Sequence, residues 1–131
     1  MVIDSSVLVA ILFSERDAEA FADAIEADPT RLLSTASALE TYLVIESELG
    51  EEGARELDLL LVRAQIEIVP FDGEQYRFAR EAFRRFGKGR HPAGLNFGDC
   101  FAYALSVASG EPLLFKGKDF PRTDVTPVRL D

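Results

Sequence analysis

Four acidic residues stand where a chain of alternating strands and helices would gather them: Asp4 in MVIDSS, Glu40 in STASALE, Asp99 in LNFGDC and Asp119 in FKGKDF. Each falls at or just past the end of an expected strand, or in the first turns of an expected helix. Carboxylates so placed meet at one edge of a sheet. Like charges in a cluster repel, by about 4 kcal/mol per pair at about 4 Å and an effective dielectric near 20. A divalent cation is the usual offset. The pattern points to magnesium- or manganese-dependent chemistry on a phosphate ester.

The local context of each acid sharpens this. Asp4 ends an apolar run and precedes Ser5-Ser6, so it also suits the N-cap of the next helix. Glu40 has Ala36 and Val44 four positions away on either side, and so projects from a small, apolar stripe where a carboxylate needs a partner. Glu46 and Glu48 read as solvated charges. Asn96 is a natural N-cap, and Asp99 three residues on resembles a capping box at a helix end that keeps a carboxylate ionised. Asp119 follows Gly117-Lys118 in a tight turn, with Asp124 five residues on. Thr123 or Asp124 suits a turn cap, and Lys116 and Lys118 could soften the charge or touch a phosphate.

The elements that must position these residues follow from periodicity. Strands are expected at Met1–Asp4, Leu32–Ser34, Gln65–Val69 and Leu113–Phe115, with a possible fifth at Val128–Leu130. Helices are expected over Ser5–Phe13, Asp17–Ala27, Thr35–Leu49, Gly53–Ala64, from the cap Asp72 to Phe86, and over Asn96–Ser109. Leu39, Tyr42, Leu43 and Leu49 are expected inward on the third helix. Tyr76, Ala79, Phe83 and Phe86 are expected inward on the helix after Asp72. On the last helix, Phe97, Phe101, Ala104, Leu105 and Ala108 form the expected core face, opposite Asn96, Asp99, Tyr103 and Ser106. GKGRHPAG, residues 87–94, reads as a loop. Short apolar strands separated by helices favour a parallel sheet covered on both faces, with ligands outside the carboxyl ends of its strands.

Bulk properties narrow the class. The 131 residues, 47% of them hydrophobic, suit one domain with an ample core. The lone cysteine, Cys100, lies among apolar neighbours and reads as core filler; no internal disulfide is possible. No basic leader precedes an apolar run, and Val7–Phe13 is too short to span a bilayer, so a cytoplasmic protein is expected. The net charge of −9 argues against simple electrostatic binding of nucleic acid. Yet Arg77, Arg80, Arg84, Arg85, Lys88 and Arg90 are opposed only by Glu81 across residues 77–91, a basic strip able to hold a polyanion locally. A solvated helix face with Glu81–Arg85 support is the plain alternative.

Other chemistries fit less well. No GxxxxGK[ST] phosphate loop and no G-x-S-x-G elbow occurs. One histidine, His91, cannot build a zinc site alone. A phospho-accepting receiver or binding module would want an Asp directly ending the third strand, where Pro70-Phe71 intervenes before Asp72.

Taken together, Asp4 with Ser5-Ser6, the Ser34–Glu40 segment, LNFGDCFAYAL and LLFKGKDFPRTDV resemble the PIN-domain ribonucleases, specifically the VapC toxins of type II toxin–antitoxin pairs. The resemblance runs through nearly the whole chain in order. It implies a three-layer α/β/α sandwich around a mainly parallel sheet of four to five strands. It also implies an acidic site of Asp4, Glu40, Asp99 and Asp119, with Asp124 as an outer acid and Ser6 supporting the first aspartate. Asn96 would support Asp99. The expected activity is endoribonucleolytic hydrolysis by a water activated by Mg²⁺ or Mn²⁺. Asp4 and Asp99 would be the main ligands, and the basic strip or Lys116 and Lys118 would hold RNA phosphates. A VapB-type antitoxin partner and a homodimer are implied as well. A housekeeping PIN nuclease without an antitoxin is the alternative within the family.

Overall fold

The computed structural model describes residues 1–130. Four strands, β1 (Val2–Ile3), β2 (Leu32–Ser34), β3 (Glu67–Val69) and β4 (Leu113–Leu114), form one parallel sheet in the order β3-β2-β1-β4. Val2 pairs with Leu32 on one side and Leu113 on the other, so β1 lies centrally. The strand expected at Val128–Leu130 is a single bridge between Leu113 and Pro127 instead, flanked by hydrogen bonds of Leu113 to Thr126 and Val128. Pro127 has no N–H with which to extend a ladder, which keeps the pairing this short.

Side-chain alternation divides the core in two. Ile3, Leu33 and Leu114 face one cluster with Val7, Leu8, Phe21, Ile25 and Leu57. Their neighbours Val2, Leu32 and Leu113 face the other, with Ala82, Phe86, Ala102, Leu105 and Phe120. The first cluster sits under α1 (Ser5–Leu12), α2 (Ala18–Ala27) and α3 (Thr35–Arg63), the second under α4 (Gly73–Phe86) and α5 (Phe97–Ser109). This is the three-layer α/β/α sandwich. The two helices expected over residues 35–64 are both present, here labelled together as α3, and meet at a break at Gly50, whose non-helical φ of +67° suits glycine.

Three helix faces differ from the expectation. On α3, Leu39 and Leu43 are more than half exposed and Tyr42 and Leu49 are exposed too, while Ser37, Thr41 and Ile45 are buried. Thr41 Oγ1 donates to the Ser37 carbonyl, which lets a hydroxyl lie inside. On α4, Tyr76 and Phe83 are exposed, and Gln75, Ala82 and Phe86 face the core. Gln75 is admitted because its Nε2 donates to the Pro70 carbonyl. On α5, Phe97 is 80% exposed whereas Tyr103 and Ser106 are buried. Ser106 Oγ donates to the Glu111 carbonyl, and the Tyr103 hydroxyl donates to Asp124.

Candidate functional site

Alternation past Ile3 puts Asp4 on the α4–α5 side of the sheet, at the carboxyl end of β1. Continuing the β1–β2 register brings it beside Ser34, the last residue of β2. Asp4 is only 3% exposed. It is the N-cap of α1: Oδ2 accepts from the Ser6 N–H at 3.1 Å and from Ser6 Oγ at 2.6 Å. Ser6 Oγ in turn accepts from the Lys116 N–H at 3.0 Å, which ties the aspartate to the exit of β4. The capping and supporting roles expected for Asp4 and Ser6 therefore coexist in one network. Oδ1 of Asp4 is buried and has no hydrogen-bond partner. An unpaired carboxylate oxygen in the interior is costly and calls for a cation, a proton or water.

Glu40 arrives from the second turn of α3. Ser5 Oγ donates to its Oε1 at 2.7 Å. Opposite lies Gly98 of α5, where an added Cβ would fall 2.9 Å from the Glu40 carboxyl carbon. Gly98 is thus a site residue that reading for charge overlooks. Its only sequence signal is a glycine in the first turn of a helix, beside Asp99.

Asp99 completes the expected capping box. Asn96 Oδ1 accepts from the Asp99 N–H, and Asp99 Oδ2 accepts from the Asn96 N–H, each at 3.0 Å. Desolvation pushes the Asp99 carboxyl up to about 6, against the backbone bond from Asn96, with the charges of Asp4, Asp119 and Glu40 adding in the same direction. Burial likewise raises Asp4, with Glu40 contributing. Asp4, Glu40 and Asp119 thus all lie within electrostatic reach of Asp99. Asp119, exposed at the start of the turn Phe120–Arg122, forms the outer edge of this group.

Asp124 does not share this arrangement. One carboxylate oxygen accepts from the Tyr103 hydroxyl and the other from Arg85 Nη1 at 3.1 Å. Both are committed to joining the C-terminal segment to α4 and α5. The turn cap at this point is Thr123, whose hydroxyl donates to Phe120 and accepts from Val125. Lys116 is also engaged elsewhere: its ammonium meets Glu15 at 2.6 Å and Asp17 at 3.1 Å. Lys118 is exposed. Cys100 is buried, its thiol pushed up to about 11 by desolvation, which suits packing and not attack.

The donor set fits a hard divalent cation in kind: carboxylate oxygens, one of them buried and unpaired. Among the described residues, no three His, Cys, Asp or Glu side chains lie close enough together to hold a metal ion between them as they stand. Ser5, Ser6 and the Asn96 cap each hold one carboxylate at the carboxyl ends of the strands.

Comparison with known proteins bears on the family and the fold. The PIN domain model matches residues 1–125. Ribonuclease VapC30 of Mycobacterium tuberculosis is 59% identical over 130 residues, covering 99% of both chains. Ribonuclease VapC of Mycolicibacterium smegmatis is 60% identical over 128 residues, covering 98% of this chain and 99% of its own. Two solved structures share the fold at low identity. VapC20 of M. tuberculosis, described as a sarcin-ricin loop cleaving toxin, superposes with a TM-score of 0.78 at 15% identity, covering 98% of each chain. VapBC2 of Rickettsia felis, bound to a promoter DNA fragment, gives 0.77 at 16% identity over 98% of this chain and 96% of that one.

Proposed function

This chain belongs to the PIN-domain family, as a VapC-type toxin ribonuclease, and from that premise we propose that the acidic sheet edge is its hydrolytic centre and works with a divalent cation. The observation that carries the reading is the buried, unpaired Oδ1 of Asp4 in the field of Glu40 and Asp99. Asp4 and Asp99 would be the principal ligands, with Glu40 and Asp119 completing the shell directly or through water. Mg²⁺ is the expected ion and Mn²⁺ a substitute. When bound, such an ion supplies a water of lowered pKa and neutralises charge on a scissile phosphate.

The chain's own residues supply orientation. Ser6 fixes Asp4 in a single pose, Ser5 fixes Glu40, and the Asn96 cap fixes Asp99. Positioning and electrostatic stabilisation are the main ways a protein assists phosphoryl chemistry.

A VapB-type antitoxin is the proposed partner, in keeping with the VapC relatives and with the VapBC2 complex that shares the fold. A homodimer is the second proposed assembly. Exposed Leu39 and Leu43 of α3 and Phe97 of α5, all close in sequence to site residues, support protein contacts around the site. No helix among the described residues is long and apolar enough to cross a membrane. We place the protein in the cytoplasm because its proposed substrate is there.

The test is incubation of the purified chain with RNA in Mg²⁺, Mn²⁺ or EDTA, followed by sequencing of the new 5′ ends. Metal-dependent cleavage at discrete sites is expected; cleavage that persists in EDTA overturns the cation's role. Growth on expression alone, compared with co-expression of the neighbouring reading frame, separates a toxin from a housekeeping nuclease.

A further inference from the structure

The exposed side of α4 carries two adjoining rows. Tyr76, Arg80 and Phe83 recur at helical spacing on one stripe, and Arg77 and Arg84 follow one position behind Tyr76 and Phe83, with exposed Lys88 just past the buried, extended C-cap Gly87. Tyr76 is 52% and Phe83 38% exposed, although both had the spacing of core residues. Each ring carries a guanidinium: Arg80 lies 5.5 Å from the Tyr76 centroid, and Arg90 lies 5.5 Å from that of Phe83. Phe83 is also held from below. A Cβ on Gly87 would come within 2.8 Å of its ring, so only glycine lets the ring lie against the backbone there. Among the described residues, Arg77, Arg80, Arg84, Lys88 and Arg90 enter no ion pair.

This face also connects to the acidic site. Gly87 bridges to Leu95, the Lys88 N–H donates to the Leu95 carbonyl, and the Leu95 N–H donates to that of Phe86. Asn96, the next residue, caps Asp99. The C-terminal end of the basic helix is therefore stitched one residue from the helix start that bears an expected cation ligand.

We propose that this face of α4 is a track for unpaired RNA, with Tyr76, Phe83 and the guanidinium planes over them stacking bases and Arg77, Arg84 and Lys88 holding phosphates, so that the strand is led toward Asp99. The proposal deepens the ribonuclease reading and rests on it. Exposed aromatic rings favour bases free of a duplex, because a paired base has no free face to offer. The cations alone would serve any polyanion. The rings give the choice of single strand over duplex.

The experiment measures binding of the full chain, in EDTA to prevent cleavage, to a fluorescein-labelled 12-nucleotide oligouridylate, to the same strand paired with its complement, and to polyglutamate. Single strand is expected to bind best. The double change Tyr76→Ala/Phe83→Ala should weaken it by about tenfold or more and leave duplex binding and the melting temperature nearly unchanged. Tyr76→Phe should retain binding. Arg84→Ala/Lys88→Ala should weaken both nucleic acids and flatten the salt dependence. Unchanged single-strand binding by the double aromatic variant, or tighter binding of polyglutamate than of RNA, overturns the track. Cleavage in Mg²⁺ is measured in parallel. A wild type that cleaves RNA, with an aromatic variant that binds and cleaves equally well, removes the track and leaves the ribonuclease. A wild type that binds single strand through these rings but cleaves nothing supports the track and removes the hydrolytic reading.

Discussion

Gly98 and Glu40 face each other so closely that a methyl group on residue 98 would press into the glutamate's carboxyl, 2.9 Å from its central carbon. The start of α5 and the second turn of α3 are brought together at the one place where the incoming helix has no side chain.

Gly98→Ala therefore opposes two effects. Alanine within a helix is favoured over glycine by roughly 0.5–1 kcal/mol. Here it also displaces Glu40 from the Ser5 hydroxyl. The variant is expected to keep its melting temperature within a few degrees and to lose at least about tenfold in RNA cleavage, a change of about 1.4 kcal/mol in the barrier. Unaltered cleavage would show that Glu40 needs no fixed position.

Ser6→Ala removes a donor to Asp4 and the acceptor of the Lys116 N–H together. Leaving such groups unsatisfied costs about 1–3 kcal/mol each when buried, less here because the Lys116 end is exposed. The variant should melt lower and cleave more slowly, and Ser6→Thr should recover both. Chemical denaturation and a cleavage time course read the two effects separately.

Metal-free stability should fall with pH. The Asp99 carboxyl titrates near 3.8 when unfolded and near 6 when folded, because burial and its acidic neighbours disfavour the charge. The folded state then holds the proton more tightly. Its contribution is fully present below about pH 3.8 and is lost as pH rises through about 6. Asp4 shifts in the same sense. With Asp99 partly open to solvent, the effect is of the order of 1 kcal/mol. In EDTA, Asp99→Asn should flatten the slope of stability between pH 4 and about 7. Mg²⁺ or Mn²⁺ should raise the melting temperature at neutral pH by binding the folded state alone. Melting curves at pH 5 and about pH 7.5, with and without metal, check both.

Asp124→Asn should separate this residue from the four inner acids. Its two oxygens serve Tyr103 and Arg85. The substitution weakens that junction by about 1 kcal/mol, since the ion pair is half exposed. A lower melting temperature with cleavage near the wild-type rate is expected. Loss of cleavage with an unchanged melting temperature would return Asp124 to the site as an outer acid.

Much of this was legible in the residues. Strand ends, caps and glycine breaks placed Asp4, Glu40, Asp99 and Asp119 before any coordinates, because each depends on local backbone chemistry. The Asn96–Asp99 box and the Asp72 cap are local signals of that kind. Helix orientation was less legible. Thr41, Gln75, Tyr103 and Ser106 are inside because each side chain makes at least one hydrogen bond there, which apolar periodicity does not register. Their burial turns Leu39, Tyr76, Phe83 and Phe97 outward. The fate of Lys116 was equally hidden, since Glu15 and Asp17 lie about a hundred positions away and meet it only through the sheet.

The most direct measurement is the Mg²⁺-dependent cleavage of RNA by Asp4→Asn, alongside its melting temperature in EDTA. Asparagine preserves the side chain's shape and can still cap α1, but removes the buried charge. The expected result is a chain at least as stable as the wild type that no longer cleaves. Cleavage at the wild-type rate by the folded variant would contradict the account.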